Sequence, residues 1–142
     1  MSNICAGIGR GQIEVLDEHV ASRRQMHDFY VAVFASIDGV DVFSTPNDDY
    51  FANYWLSAIT IDATKTNGIT AETLRLALEA ENTESRPLWK PMHLQPIFEN
   101  YPYYGSNVAE TLFENGLCLP SGSNLTDNDR ERIASVITAV FV

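Results

Sequence analysis

Pro87, Pro91 and Pro96 punctuate the run Ser85-Arg86-Pro87-Leu88-Trp89-Lys90-Pro91-Met92-His93-Leu94-Gln95-Pro96. Each proline removes a backbone donor and fixes its own φ, so this stretch can be neither a helix nor a central strand. What it allows is a short strand over Ser85–Trp89 leading into a stiff loop. Two cations, an imidazole and an indole sit there, and prolines order them at little further entropic cost. Such a loop suits an anionic or sugar-like ligand. It equally suits a surface connection whose Leu88 and Trp89 plug into the core.

The rest of the chain supplies that core. Its 142 residues read as a single domain, 1–142, with 45% hydrophobic and 20% charged side chains, values ordinary for a soluble globular protein. Nineteen acidic residues oppose nine basic ones, a net charge of −10. That field repels phosphate backbones, and Arg23-Arg24 is the only adjacent basic pair, so no nucleic-acid partner is expected. A small anion remains compatible, because a local cation pocket overrides the global charge. Cys5 and Cys118 lie far apart in apolar stretches; they could form one disulfide, but nothing else in the sequence points to an oxidising compartment. No signal peptide or membrane-spanning run is present, so the chain is expected to be cytoplasmic, away from membranes, with Asn124-Leu125-Thr126 a chance sequon.

Ile4, Ile8, Val15, Leu16, Val20, Met26, Phe29, Tyr30, Val33 and Ile37 recur at helical spacing, which predicts one long amphipathic helix from about Asn3 to Ser36. Gly7, Gly9 and Gly11 each cost that helix roughly 1 kcal/mol relative to Ala. Their number predicts another backbone or ligand passing close by. The helix is also long for so short a chain, which points to an interface with a body outside this sequence. Strands are expected at Val40–Phe43, Trp55–Ile61 and Leu117–Pro120. Helices are expected over Ala71–Glu81 behind Thr70, from an Asn107/Glu110 capping pair to Gly116, and behind Thr126 with Asp129. The order predicts an α+β domain: a small mixed sheet covered by helices, with a long N-terminal helix.

Few residues carry recognisable chemistry. Gly7-x-Gly9-x-Gly11 lacks a preceding strand and the spacing of a phosphate loop. His19, His27 and His93 do not make a metal set, and no metal site is expected. Asp48-Asp49 and Glu14, Asp17 and Glu18 read as solvated charge. No G-x-S-x-G motif is present, and Ser121-Gly122-Ser123 has no base beside it. Arg86, Lys90 and His93 remain, with Arg as a forked donor and Lys as a point charge for carboxylate or diphosphate. Trp89 and Tyr101-Pro102-Tyr103-Tyr104 could stack on a sugar or base, or pack as ordinary core and loop. Lys90 forms a Schiff base only if desolvated or otherwise lowered in pKa, and nothing in the sequence indicates that.

Four segments together resemble the C-terminal part of the DegT/DnrJ/EryC1/StrS sugar aminotransferases. They are Met1 to Gln12 (MSNICAGIGRGQ), Glu84 to Pro96, Tyr101 to Gly105, and Gly116 to Thr126 (GLCLPSGSNLT). The most specific strings are R-P-L-W-K-P-M-H and L-C-L-P-S-G-S-N-L-T, and the resemblance covers essentially the whole chain. It implies a pyridoxal-phosphate enzyme of aspartate-aminotransferase-like, fold type I, architecture that aminates a nucleotide-linked keto sugar for surface polysaccharide or glycan synthesis. It also implies a homodimer with shared active sites. In that family the Schiff-base lysine, the aspartate facing the pyridine nitrogen and the main phosphate-binding residues belong to a large N-terminal domain. This sequence departs there, since its only lysines, Lys65 and Lys90, match neither role.

The resemblance therefore implies a small C-terminal domain, catalytically incomplete alone, with residues 1–37 as an interdomain-type helix and 38–142 as the α+β body. Arg86, Trp89, Lys90 and His93 would edge the substrate site, with Trp89 possible as a buttress of the loop. Ser2 and Asn3 would lie nearest the cofactor. Pyridoxal phosphate is expected in the complete enzyme and not on this chain alone. Ser121 and Ser123 read as turn and capping residues, and no catalytic residue is assigned. The alternative is a non-enzymatic module that dimerises through the exposed face of the first helix and binds no ligand.

Overall fold

A computed structural model describes residues 2–141; Met1 and Val142 of the expected 1–142 domain lie outside them. The chain opens with two helices, α1 (Asn3–Glu14) and α2 (Leu16–Phe34). The single long helix expected from the periodicity is thus corrected. Val15 leaves helical geometry at φ −115° and ψ 9°, and Asp17 and Glu18 occupy the first turn of α2, where carboxylates favour a helix start. Packing explains where the division falls. No residue of α1 is buried, whereas α2 buries Met26, His27, Tyr30 and Phe34. A helix weakened by three glycines and lacking a packed face has nothing to hold it in line with the next.

The glycine expectation is also corrected within this chain. A Cβ built on Gly7, Gly9 or Gly11 meets no atom within 4 Å. Ile4 and Ile8 of the same helix are 76% and 62% exposed.

Strands β1 (Val40–Val42), β2 (Ser57–Ile61), β3 (Arg86–Pro87) and β4 (Gly116–Leu119) form one sheet in the order β1-β2-β4-β3. The α+β class stands, but the sheet expected to be mixed is antiparallel at all three pairings. Gly39, at φ +85°, makes the turn into β1, where a side chain would strike Lys65 Cβ. The period of two sorts the central strands. Ser57, Ile59 and Ile61 of β2 and Leu117 and Leu119 of β4 face one way, and Ala58 and Cys118, paired in register, face the other.

The first face carries the core. Tyr30 and Phe34 of α2, Leu74 and Leu78 of α3 (Ala71–Ala80), and Ile133 and Ile137 of α5 (Asp127–Phe141) pack on it. Both α3 and α5 start as the sequence predicts. Thr70 accepts from the Thr73 amide, and Thr126 and Asp129 cap each other reciprocally. On the second face Leu88 covers Gly116, leaving no room there for a Cβ. The helix α4 (Val108–Asn115) runs directly into β4.

Candidate functional site

The proline-rich run leaves the sheet from its edge. β3 pairs with β4 through Arg86 and Pro87 opposite Cys118 and Leu117, an edge position that tolerates the missing proline donor. A 3-10 turn, Met92–Leu94, follows Pro91. Between them Trp89 lies 69% exposed, stacked on Trp55 at 6.3 Å and 25°. The plug reading is therefore corrected: Leu88 is half-buried over Gly116 on the sheet face away from the core, and Trp89 is exposed. Grooves of about 610 and 330 Å³ run either side, sharing Leu56, Trp89 and Cys118 in their linings.

The expected site residues are placed in four different ways. Lys90 is exposed, with no polar partner for its amine among the described residues. Arg86 instead donates its guanidinium to Glu84, at 2.7 Å from Nε, so its charge is already engaged. His93 is held most firmly. Its ring stacks on Tyr103 at 3.7 Å and 18°, and its Nε2 donates to Glu110 Oε1 at 2.7 Å. Ser2 and Asn3 stand apart at the start of α1, where Ser2 Oγ caps the helix by accepting from the Cys5 amide. Among the described residues no hydrogen bond, ion pair or ring contact joins Ser2 or Asn3 to the loop.

Glu110 was expected to cap α4 with Asn107. Asn107 makes no side-chain cap bond, and the Glu110 carboxylate reaches back to His93 instead. Tyr103 closes the same cluster by donating to the Ser106 carbonyl at 2.8 Å; a Cβ on Gly105 would sit 2.5 Å from its hydroxyl oxygen. Tyr104, by contrast, is 89% exposed.

A second support lies under Trp55. Arg23 donates to the carbonyls of Trp55 and of Ser121, the latter at 3.0 Å, and Arg24 donates to the Ala52 carbonyl while lying over the Phe51 ring at 4.6 Å. The adjacent basic pair thus fastens the β1–β2 connection to α2. Ser121 is structural, accepting from the Ser57 amide and donating to the Leu119 carbonyl. His27 is buried, stacked on Tyr54 at 3.7 Å, with Nε2 beside Ser44 and Phe43.

The loop offers an ammonium, flat aromatic faces and a fixed imidazole; a hydroxyl–imidazole contact, Ser44 Oγ to His27 Nε2 at 3.1 Å, lies instead between the β1–β2 connection and α2, and no metal-holding cluster occurs among the described residues. Pyridoxal phosphate does not fit the residues present. Lys65 and Lys90 are both exposed, and neither is desolvated as an imine-forming amine requires.

Comparison with known proteins gives the family of the chain. The model of the DegT/DnrJ/EryC1/StrS aminotransferase family matches residues 1–138. EpsN of Bacillus subtilis (strain 168), proposed to be a pyridoxal phosphate-dependent aminotransferase, is 40% identical over 145 residues, covering 99% of this chain and 36% of EpsN. The GDP-perosamine synthase of Caulobacter vibrioides is 28% identical over 142 residues, covering all of this chain and 38% of that enzyme. The crystal structure of DesI with its TDP-sugar product superposes with a TM-score of 0.85 at 26% identity, covering 98% of this chain and 35% of DesI. This chain spans little more than a third of the relatives it matches. It belongs to the DegT/DnrJ/EryC1/StrS aminotransferase family.

Proposed function

We propose that this member of the DegT/DnrJ/EryC1/StrS family is the C-terminal small domain of a pyridoxal-phosphate-dependent aminotransferase that aminates a nucleotide-linked keto sugar for surface polysaccharide or glycan synthesis. Residues 1–37 form its interdomain element and 38–142 its body. A large domain outside this sequence supplies the cofactor lysine, so the chain alone does not transaminate and does not hold the cofactor. Arg86, Trp89, Lys90 and His93 edge the sugar-nucleotide site, with Lys90 facing diphosphate charge and Arg86 kept for Glu84 until a ligand competes for it. The observation that carries this reading is the unpartnered Lys90 amine beside an exposed Trp89 on a loop anchored by His93 and Glu110.

Calorimetric titration of the chain with TDP-glucose and with GDP-mannose tests it. Saturable binding is expected, weakened about tenfold or more in Lys90→Ala, since a hydrogen bond to a charged group contributes about 1.5–3 kcal/mol. Flat titrations with both sugars would remove the substrate reading.

One observation favours a second reading. Every described residue of α1 lacks burial, and Ile4, Ile8 and Ile13 are exposed. A homodimer formed through that face, without ligand, would show a stable dimer by sedimentation together with flat titrations.

A further inference from the structure

We infer that Glu110 is a positioning residue that fixes the tautomer of His93, so that His93 Nδ1 accepts a hydrogen bond from a sugar hydroxyl of the substrate. This inference rests on the substrate reading above. Its basis is the 2.7 Å contact from His93 Nε2 to Glu110 Oε1. A carboxylate oxygen accepts, so the contact places a proton on Nε2, and in that tautomer the lone pair of the ring is at Nδ1.

That nitrogen has no hydrogen-bond partner among the described residues, and the side chain keeps 17% of its surface exposed. Stacking resists the ring turn that would exchange its two nitrogens. Tyr103 stacks on one face at 3.7 Å, and Tyr103 is itself held by its bond to the Ser106 carbonyl and its fit against Gly105. Glu110 rides on α4, which runs directly into the central strand β4. The loop imidazole is thereby referenced to the rigid sheet and not to the loop alone. A fixed acceptor three residues after Lys90 distinguishes a hydroxyl from a position that cannot donate, because an unmet acceptor in a closed site is costly.

The test combines imidazole nitrogen NMR of the labelled chain, with His93 assigned through His93→Gln, and titration with TDP-glucose and GDP-mannose. The expected result is an Nε2–H tautomer in the unmodified chain. Glu110→Ala should give a tautomer mixture and at least about tenfold weaker binding, as loss of one charge-assisted bond implies, while Glu110→Gln, which retains an acceptor, restores both. His93→Gln keeps a donor for Glu110 but loses the δ-position acceptor, and should weaken binding to a similar degree with the fold intact. An Nδ1–H tautomer, or unchanged affinity in Glu110→Ala or His93→Gln, overturns this inference and leaves the substrate reading standing. If the unmodified chain binds neither sugar nucleotide, both fall together.

Discussion

The Tyr30 hydroxyl donates to the Pro120 carbonyl at 2.8 Å, joining the middle of α2 to the end of β4 across 90 positions of sequence. Burial pushes this phenol above its ordinary range, so the native state keeps its proton where an unfolded chain would ionise. The contribution is fully present below about pH 10 and is lost as pH rises beyond it. Tyr30→Phe should cost about 1–2 kcal/mol at neutral pH through the unmet carbonyl. It should also flatten the alkaline fall in stability, which urea melts between neutral and alkaline pH would read.

Glycines in this chain are not equivalent. A Cβ on Gly116 would lie 2.2 Å from Leu88 Cδ1 and 2.4 Å from the Leu112 backbone oxygen, and the latter cannot yield. Gly116→Ala is expected to destabilise by about 1–3 kcal/mol through overpacking. Gly9→Ala meets open space inside a helix and should stabilise the chain by about 0.5–1 kcal/mol. Thermal melts of both variants decide this, and a destabilised Gly9→Ala would show that α1 packs against another body in solution.

Cysteine accessibility reports on the grooves. Cys118 is buried beneath the loop, and burial pushes its thiol up, while Cys5 is exposed on α1. Iodoacetamide followed by peptide mass analysis should label Cys5 well before Cys118. Comparable rates would mean that β3 and its loop open readily.

The cap of α5 gives an acid-side counterpart. Bonds from the Thr126 hydroxyl and amide hold the Asp129 carboxyl below its usual range. Its contribution is present above the ordinary aspartate value of about 4 and lost as pH falls through the lowered one. Thr126→Ala should cost about 1 kcal/mol at neutral pH and less in acid, measured by denaturant midpoints at both.

These examples mark what a sequence makes legible. Thr70 and Thr126 were readable as caps because their partners lie three residues on, within one helical turn. The inner stripe of Ile133 and Ile137 and the proline-bound edge of the sheet were readable for the same local reason. The His93–Glu110 contact spans 17 residues, and the Arg23 bond to Ser121 spans 98, separations that leave no periodic trace. Local spacing even misdirected Glu110, which fits a capping pattern but satisfies a distant imidazole. The sense of strand pairing was likewise invisible, because alternation fixes which face a residue takes and not the direction of its neighbour.

Under the proposed function this chain carries the substrate-edge part of a sugar aminotransferase and not its imine-forming lysine. Incubation with pyridoxal phosphate, borohydride trapping and peptide mass analysis addresses it most directly. The expected result is no stoichiometric adduct on Lys65 or Lys90 and no visible imine band. A stoichiometric adduct on Lys90 would contradict the account and make this chain a cofactor-binding protein in its own right.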